Sequence, residues 1–173
     1  MRVGIFDHFG WAIAVTATSE GDVVDRRRIE LVDPGLTQAP VHYDAASLDD
    51  AALTALIAEV RASIARCAAA AFDDLDAAVP GIGSIALRTW AADFPTDLAI
   101  LRRAPYESRA DAVMYRQEVA GVADLRGWEV HRYDAKAVLA AVSDDLLRAP
   151  RERLGPPWTK DHRVALAAAI VAE

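Results

Sequence analysis

The sequence predicts an α/β fold built on a central mixed sheet of five strands, and three observations carry the prediction. The first thirty residues hold three apolar-alternating segments joined by short connections, the pattern of an antiparallel meander. Long helical segments then separate the third, fourth and fifth strand segments, and crossovers of that length join parallel strands. At 173 residues the chain has the length of roughly one domain and can bury about two thirds of its unfolded surface. One domain over residues 1–173 is expected.

The elements follow in order. Residues 2–7 read as a buried strand ending at Asp7, and Trp11 to Thr18 as a second. Glu20-Gly21-Asp22 is a hairpin signal. Val23 to Val32 is the third strand, with Arg26-Arg27-Arg28 in its middle, so that Arg26 and Arg28 share one face. Asp33 to Ala46 has two prolines and a glycine and reads as a surface loop. A long helix runs from Ser47 to about Asp76, with Ser47 and Asp50 as a capping pair and an apolar stripe that includes Ile64, Cys67, Ala71 and Leu75. Pro80-Gly81-Ile82-Gly83 breaks it and lacks the lysine and spacing of a phosphate-binding P-loop. Ser84 to Trp90 is the fourth strand, and Ala91 to Ala104 has no clear pattern. Ser108 to Arg126 is a helix ended by Gly127, Trp128 to Tyr133 the fifth strand, and Ala135 to Leu147 a third helix. Pro150 to Pro157 reads as a linker, after which Thr159 caps a last helix to about Ala172.

Composition narrows the function. The hydrophobic share of 53% and charged share of 26% are those of a globular protein rather than a disordered one. No apolar run approaches the roughly 18 residues of a membrane span, and Asp7 interrupts the N-terminus too early for a secretory signal. One cysteine excludes a disulfide framework and a multi-cysteine zinc site. A cytoplasmic protein is expected. The net charge of −7 repels polyanions on average, so nucleic-acid binding would require a local basic surface.

Three stretches hold the candidate chemistry. Val3-Gly4-Ile5-Phe6-Asp7-His8-Phe9-Gly10-Trp11 is a strand ending in an acid, a short turn and a glycine–aromatic entry to the next strand. Arg126 to Val138 contains the fifth strand followed by Tyr133-Asp134-Ala135-Lys136. Thr159-Lys160-Asp161-His162-Arg163 opens the last helix, where a helix N-terminus beside Lys160, His162 and Arg163 suits an anion. Trp158 ahead of it is either a hydrophobic staple or part of that site.

In order and spacing these stretches resemble the RuvC-type Holliday-junction resolvases of the ribonuclease H-like superfamily, over nearly the whole chain. The resemblance implies a ribonuclease H-like fold, structured DNA as partner, a homodimer, and phosphodiester hydrolysis with Mg²⁺ or Mn²⁺. Such nucleases hold two divalent ions roughly 4 Å apart on three or four carboxylates. The resemblance makes Asp7 and Asp161 the metal ligands and catalytic residues; His8 or His162 would support them, His162 as a ligand or base because histidine suits divalent metals. Lys160, Arg163, Arg88 and Lys136 become candidate contacts to nucleic acid or another anion. The acidic site departs from the family pattern. Arg88 stands at the fourth-strand position, in Ile85-Ala86-Leu87-Arg88, where the family has Glu, and Val164 stands at the second acidic position of the last helix. Asp93 or Asp97 would have to supply a replacement ligand. Two readings follow: a metal-dependent endonuclease, or an inactive scaffold that binds a protein or nucleic-acid partner. In the second, Asp7 and Asp161 pair with Arg88 or Lys160.

Overall fold

The computed structural model describes residues 1–172. Among them, five strands form one sheet: β1 (Arg2–Asp7), β2 (Trp11–Ala17), β3 (Val23–Glu30), β4 (Ser84–Arg88) and β5 (Glu129–Tyr133). The order across the sheet is β3-β2-β1-β4-β5. The first three strands are antiparallel, and β4 and β5 run parallel to β1, as the connection lengths require. The C-terminal ends of β1, β4 and β5 therefore share one edge. Asp7, Arg88 and Tyr133 stand there, with Arg88 in register with Tyr133.

Helices cover both faces, which explains the nearly unbroken apolar runs of β1 and β4. On one face α1 (Asp50–Ala78) and α3 (Glu107–Leu125) pack Ile64, Phe72, Tyr115 and Val119 against Val3, Ile5 and Ile85. On the other, α7 (Lys160–Val171) and α4 (Ala135–Ala141) pack against Val15, Ala86 and Tyr133. Helix α7 is alanine-rich for a physical reason: it approaches β1 so closely that a Cβ on Gly4 would fall 1.8 Å from the Ala165 carbonyl oxygen. That contact sets the depth of α7 and brings its first turn beside the end of β1.

The structure corrects several boundaries. Strand β3 ends at Glu30, not Val32. Asp49, not Ser47, caps α1 by accepting from the Ala52 amide, and Ser47 Oγ donates back to the Asp44 carbonyl. The buried stripe of α1 runs through Ala68 and Phe72, which leaves Cys67 half-buried and 3.6 Å from Asp33 Oδ1. The 33–46 segment is no simple surface loop, because Pro40–Asp44 forms a π-helical turn. The turn is pinned by Asp111, a buried carboxylate that accepts from the Val41 and His42 amides at 3.1 and 2.9 Å.

Within the unassigned stretch, Leu98–Leu101 forms a one-turn helix, α2. The expected third helix breaks where Val142 turns extended and Ser143 caps a new helix, α5 (Asp144–Arg148). The proline-rich linker begins as a short helix, α6 (Pro150–Leu154), with Pro150 at its first position. None of the described helices is long and apolar enough to cross a membrane.

Gly4→Ala tests the α7 contact. A methyl group directed at a backbone carbonyl forces the helix off the sheet. The loss of stability should exceed the roughly 1–3 kcal/mol usual for overpacking, read as a lower urea midpoint. A midpoint equal to wild type would mean that α7 is not held at this distance.

Candidate functional site

The candidate site lies on the edge where β1, β4 and β5 end. Asp7 is its centre and is 4% exposed. A carboxylate so deep needs charged or hydrogen-bonded partners. Arg88, from the end of β4, donates Nε–H to Asp7 Oδ1 at 2.7 Å and Nη2–H to Oδ2 at 2.7 Å, a two-pronged pair. The same Nη2 also donates to the Asp7 carbonyl. Arg116, from the middle of α3, donates Nε–H to Asp7 Oδ2 at 3.0 Å and Nη1–H to the Thr89 carbonyl at 3.1 Å. Both oxygens of Asp7 are thus engaged by guanidinium groups. Phe6 backs the clamp, with the Arg88 guanidinium 4.6 Å from its ring centre. Burial works against the charge of Arg88, but the hydrogen bonds and charge of Asp7 outweigh it and hold its pKa above the ordinary value. Tyr133 donates its hydroxyl to the Ile5 carbonyl at 2.6 Å, and burial first, then the Asp7 charge, keeps the phenol neutral.

Asp161, in the first turn of α7, is close enough for its charge to act on both Arg88 and Tyr133. Its direct partner is His8, whose Nε2 lies 3.1 Å from Asp161 Oδ2. His8 in turn stacks on Trp11 at 4.0 Å between ring centres, and the Arg28 guanidinium lies 4.1 Å from the same indole centre. His162 is 5% exposed. Its Nδ1 accepts from the Thr159 backbone amide at 3.2 Å and contacts Thr159 Oγ1 at 2.9 Å, so the imidazole fills the place a glutamate takes in a capping box. Trp158 is buried and donates its indole N–H to the Leu147 carbonyl. Lys160 is exposed and Arg163 half-exposed on the same first turn. Lys136 is exposed on α4, just beyond the end of β5.

Asp7 and Arg88 are in contact and Asp161 lies near Arg88, whereas His162 turns from the same first turn of α7 toward Thr159 and Trp158, with Lys160 and Arg163 as its neighbours in sequence. Asp97 does not join them, since it caps α2 by accepting from the Ala99 amide. Of the arginine triplet, Arg27 pairs with Asp25 and Arg28 with Glu30. Arg26 instead holds the main-chain carbonyls of Leu154 and Gly155. Arg116 escaped the sequence reading. It stands three residues after Val113 and three before Val119, both buried, and a charge on that apolar stripe was the available signal.

The donor set does not fit a pair of Mg²⁺ or Mn²⁺ ions. Such ions need several hard oxygen ligands, and among the described residues no group of three or more His, Cys, Asp or Glu side chains is arranged to hold one. The lone pairs of Asp7 already accept three N–H bonds from two cations. A dication about 4 Å from a guanidinium would meet about twice the roughly 4 kcal/mol repulsion of two unit charges at that range.

No family model matches the chain, and no curated protein matches it. Among solved structures it is similar to the Thermus thermophilus RuvC structure, with a TM-score of 0.52 and 14% sequence identity over 98% of this chain and 90% of that one. The likeness and the sheet order show a ribonuclease H-like fold.

His162 supplies a pH prediction. Burial, and then the charge of Arg26, lower its pKa below the ordinary histidine value. The unfolded chain therefore takes up this proton near pH 6.5 while the folded chain resists it. The contribution of His162 is complete above pH 6.5 and is lost as pH falls through the lowered value. His162→Gln keeps a cap-accepting side chain that does not titrate. Between pH 7.5 and 5.5 the wild type should lose more stability in urea than this variant. Equal losses would contradict the assignment.

Proposed function

We propose that the chain is a RuvC-like nucleic-acid-associated protein that binds structured DNA without hydrolysing it. The observation that carries this reading is the clamp of Arg88 and Arg116 on Asp7. Where a hydrolytic relative needs lone pairs for metal ions, this chain has two guanidinium groups. The positive charge that metal would bring is supplied by side chains, which neutralise a buried acid and leave a cationic surface. Lys160 and Arg163 on the first turn of α7 and Lys136 just beyond β5 add positive charge toward that end of the sheet. Asp7, Asp161 and Asp134 are acids at the same end; Asp161 is held by His8, and Asp134 caps α4. On a chain of net charge −7 this is the local basic surface that phosphate backbones require.

The test is fluorescence anisotropy with a labelled four-way DNA junction, alongside a gel assay for cleavage in Mg²⁺ and Mn²⁺. The expected result is binding without cleavage. Lys160→Gln and Arg163→Gln should each weaken binding severalfold and lower the slope of log affinity against log salt by about 1. Cleavage of the junction in either metal would overturn the non-hydrolytic reading. Failure to bind junction, duplex or single strand would overturn the nucleic-acid reading.

A further inference from the structure

Beside the Asp7 clamp, a cleft of about 410 Å³ lies between the β2–β3 hairpin and the start of α7, bordered by Trp11, Ile13, Arg26, Thr159, Asp161 and His162. Its size falls within the roughly 300–1,000 Å³ of small-ligand sites. We propose that this cleft binds a phosphate group, carried either by a small nucleotide or by the end of a nucleic-acid strand.

Three features point into the same space. The first is His162. Its Nδ1 accepts the Thr159 amide, which fixes the tautomer and leaves the proton on Nε2. That N–H has no partner among the described residues; the ring is almost fully buried, but Nε2 is not an enclosed atom and meets the open space that His162 lines. A phosphate oxygen in the cleft would accept this N–H in a charge-assisted hydrogen bond. The second is Arg26. Its guanidinium donates to the carbonyls of Leu154, Gly155, Pro156 and Pro157, all of them neutral. Arg27 and Arg28 have carboxylate partners, whereas Arg26 forms no ion pair among the described residues. It therefore brings an uncompensated charge and a fixed position rather than free hydrogen bonds. The third is the N-terminus of α7, a helix of 12 residues whose first-turn amides lack helical acceptors and whose dipole favours an anion.

The carboxylate bordering the cleft, Asp161, is held by His8 at 3.1 Å. Trp11 and Ile13 give the body of a ligand an apolar wall next to the phosphate position. The site uses neither Arg88 nor Arg116 of the Asp7 clamp, but it shares Asp161 and the first turn of α7 with the strand-binding surface proposed above.

The experiment follows the imidazole signals of His162 and the guanidinium signals of Arg26 by NMR on the full chain. Inorganic phosphate, adenosine 5′-monophosphate, and one oligonucleotide with a 5′-phosphate or a 5′-hydroxyl are titrated in turn. Saturable shifts at both residues with at least one phosphate-bearing probe are expected. His162→Glu retains the usual capping-box residue but directs a carboxylate into the cleft, and it should weaken that binding at least tenfold. Response to the mononucleotide and to neither oligonucleotide assigns a small-molecule ligand. Response to the 5′-phosphorylated strand and not to the 5′-hydroxyl strand assigns a strand end. The proposal is overturned if no phosphate species moves His162 and Arg26, or if His162→Glu binds as well as wild type.

Discussion

A buried carboxylate at the end of the central strand has to be neutralised, and the candidate site is arranged around that requirement. Asp7 is nearly inaccessible, flanked by Phe6 and close to the neutral phenol of Tyr133. Isolated, its charge would be untenable in such surroundings. The fold answers from two directions. Parallel pairing of β4 with β1 carries Arg88 to the same edge. Packing of α3 on the other strands carries Arg116 to the second oxygen. Removing Asp7 from such a cluster leaves two guanidinium groups without their partner.

That neutralisation has a chemical meaning. A hydrolytic centre of the two-metal kind needs oxygen lone pairs turned toward open space. Here the lone pairs of the central acid point at guanidinium nitrogens, and the positive charge is covalently attached to the fold. Cations fixed in this way can position a phosphate backbone but do not activate a water as a metal ion would. The first turn of α7 extends the same pattern, with a histidine used as a cap and an acid used as a histidine partner.

Much of the fold was legible in the sequence. Period-two alternation marked the strands, helical periodicity marked the crossovers, and their order gave a mixed sheet before any contact was known. Arg88 was legible as a departure through the resemblance to the RuvC-type pattern, not through the strand boundary, since the apolar pattern runs on to Trp90 whereas β4 ends at Arg88. What was hidden depended on tertiary contacts. The α1 stripe through Ala68 and Phe72 rather than Ala71 is decided by what the helix packs against. The 33–46 segment is ordered by Asp111, seventy residues away from Val41. The proline-rich stretch is held by Arg26 through main-chain carbonyls that no residue pattern reveals. Arg116 could be noticed as a charge on an apolar stripe, but its partner lies 109 residues away.

The central claim is that Asp7 is the anchor of an ion-pair cluster and not a metal ligand, and the stability of Asp7→Asn tests it most directly. Loss of a buried partner costs about 3–5 kcal/mol when the remaining charge is fully enclosed. Because Arg88 and Arg116 retain some exposure, a loss of about 2 kcal/mol or more is the predicted result in urea unfolding, with Mn²⁺ leaving the wild-type midpoint unchanged. A variant as stable as wild type, together with a wild-type midpoint that Mn²⁺ raises and Asp7→Asn abolishes, would contradict the account.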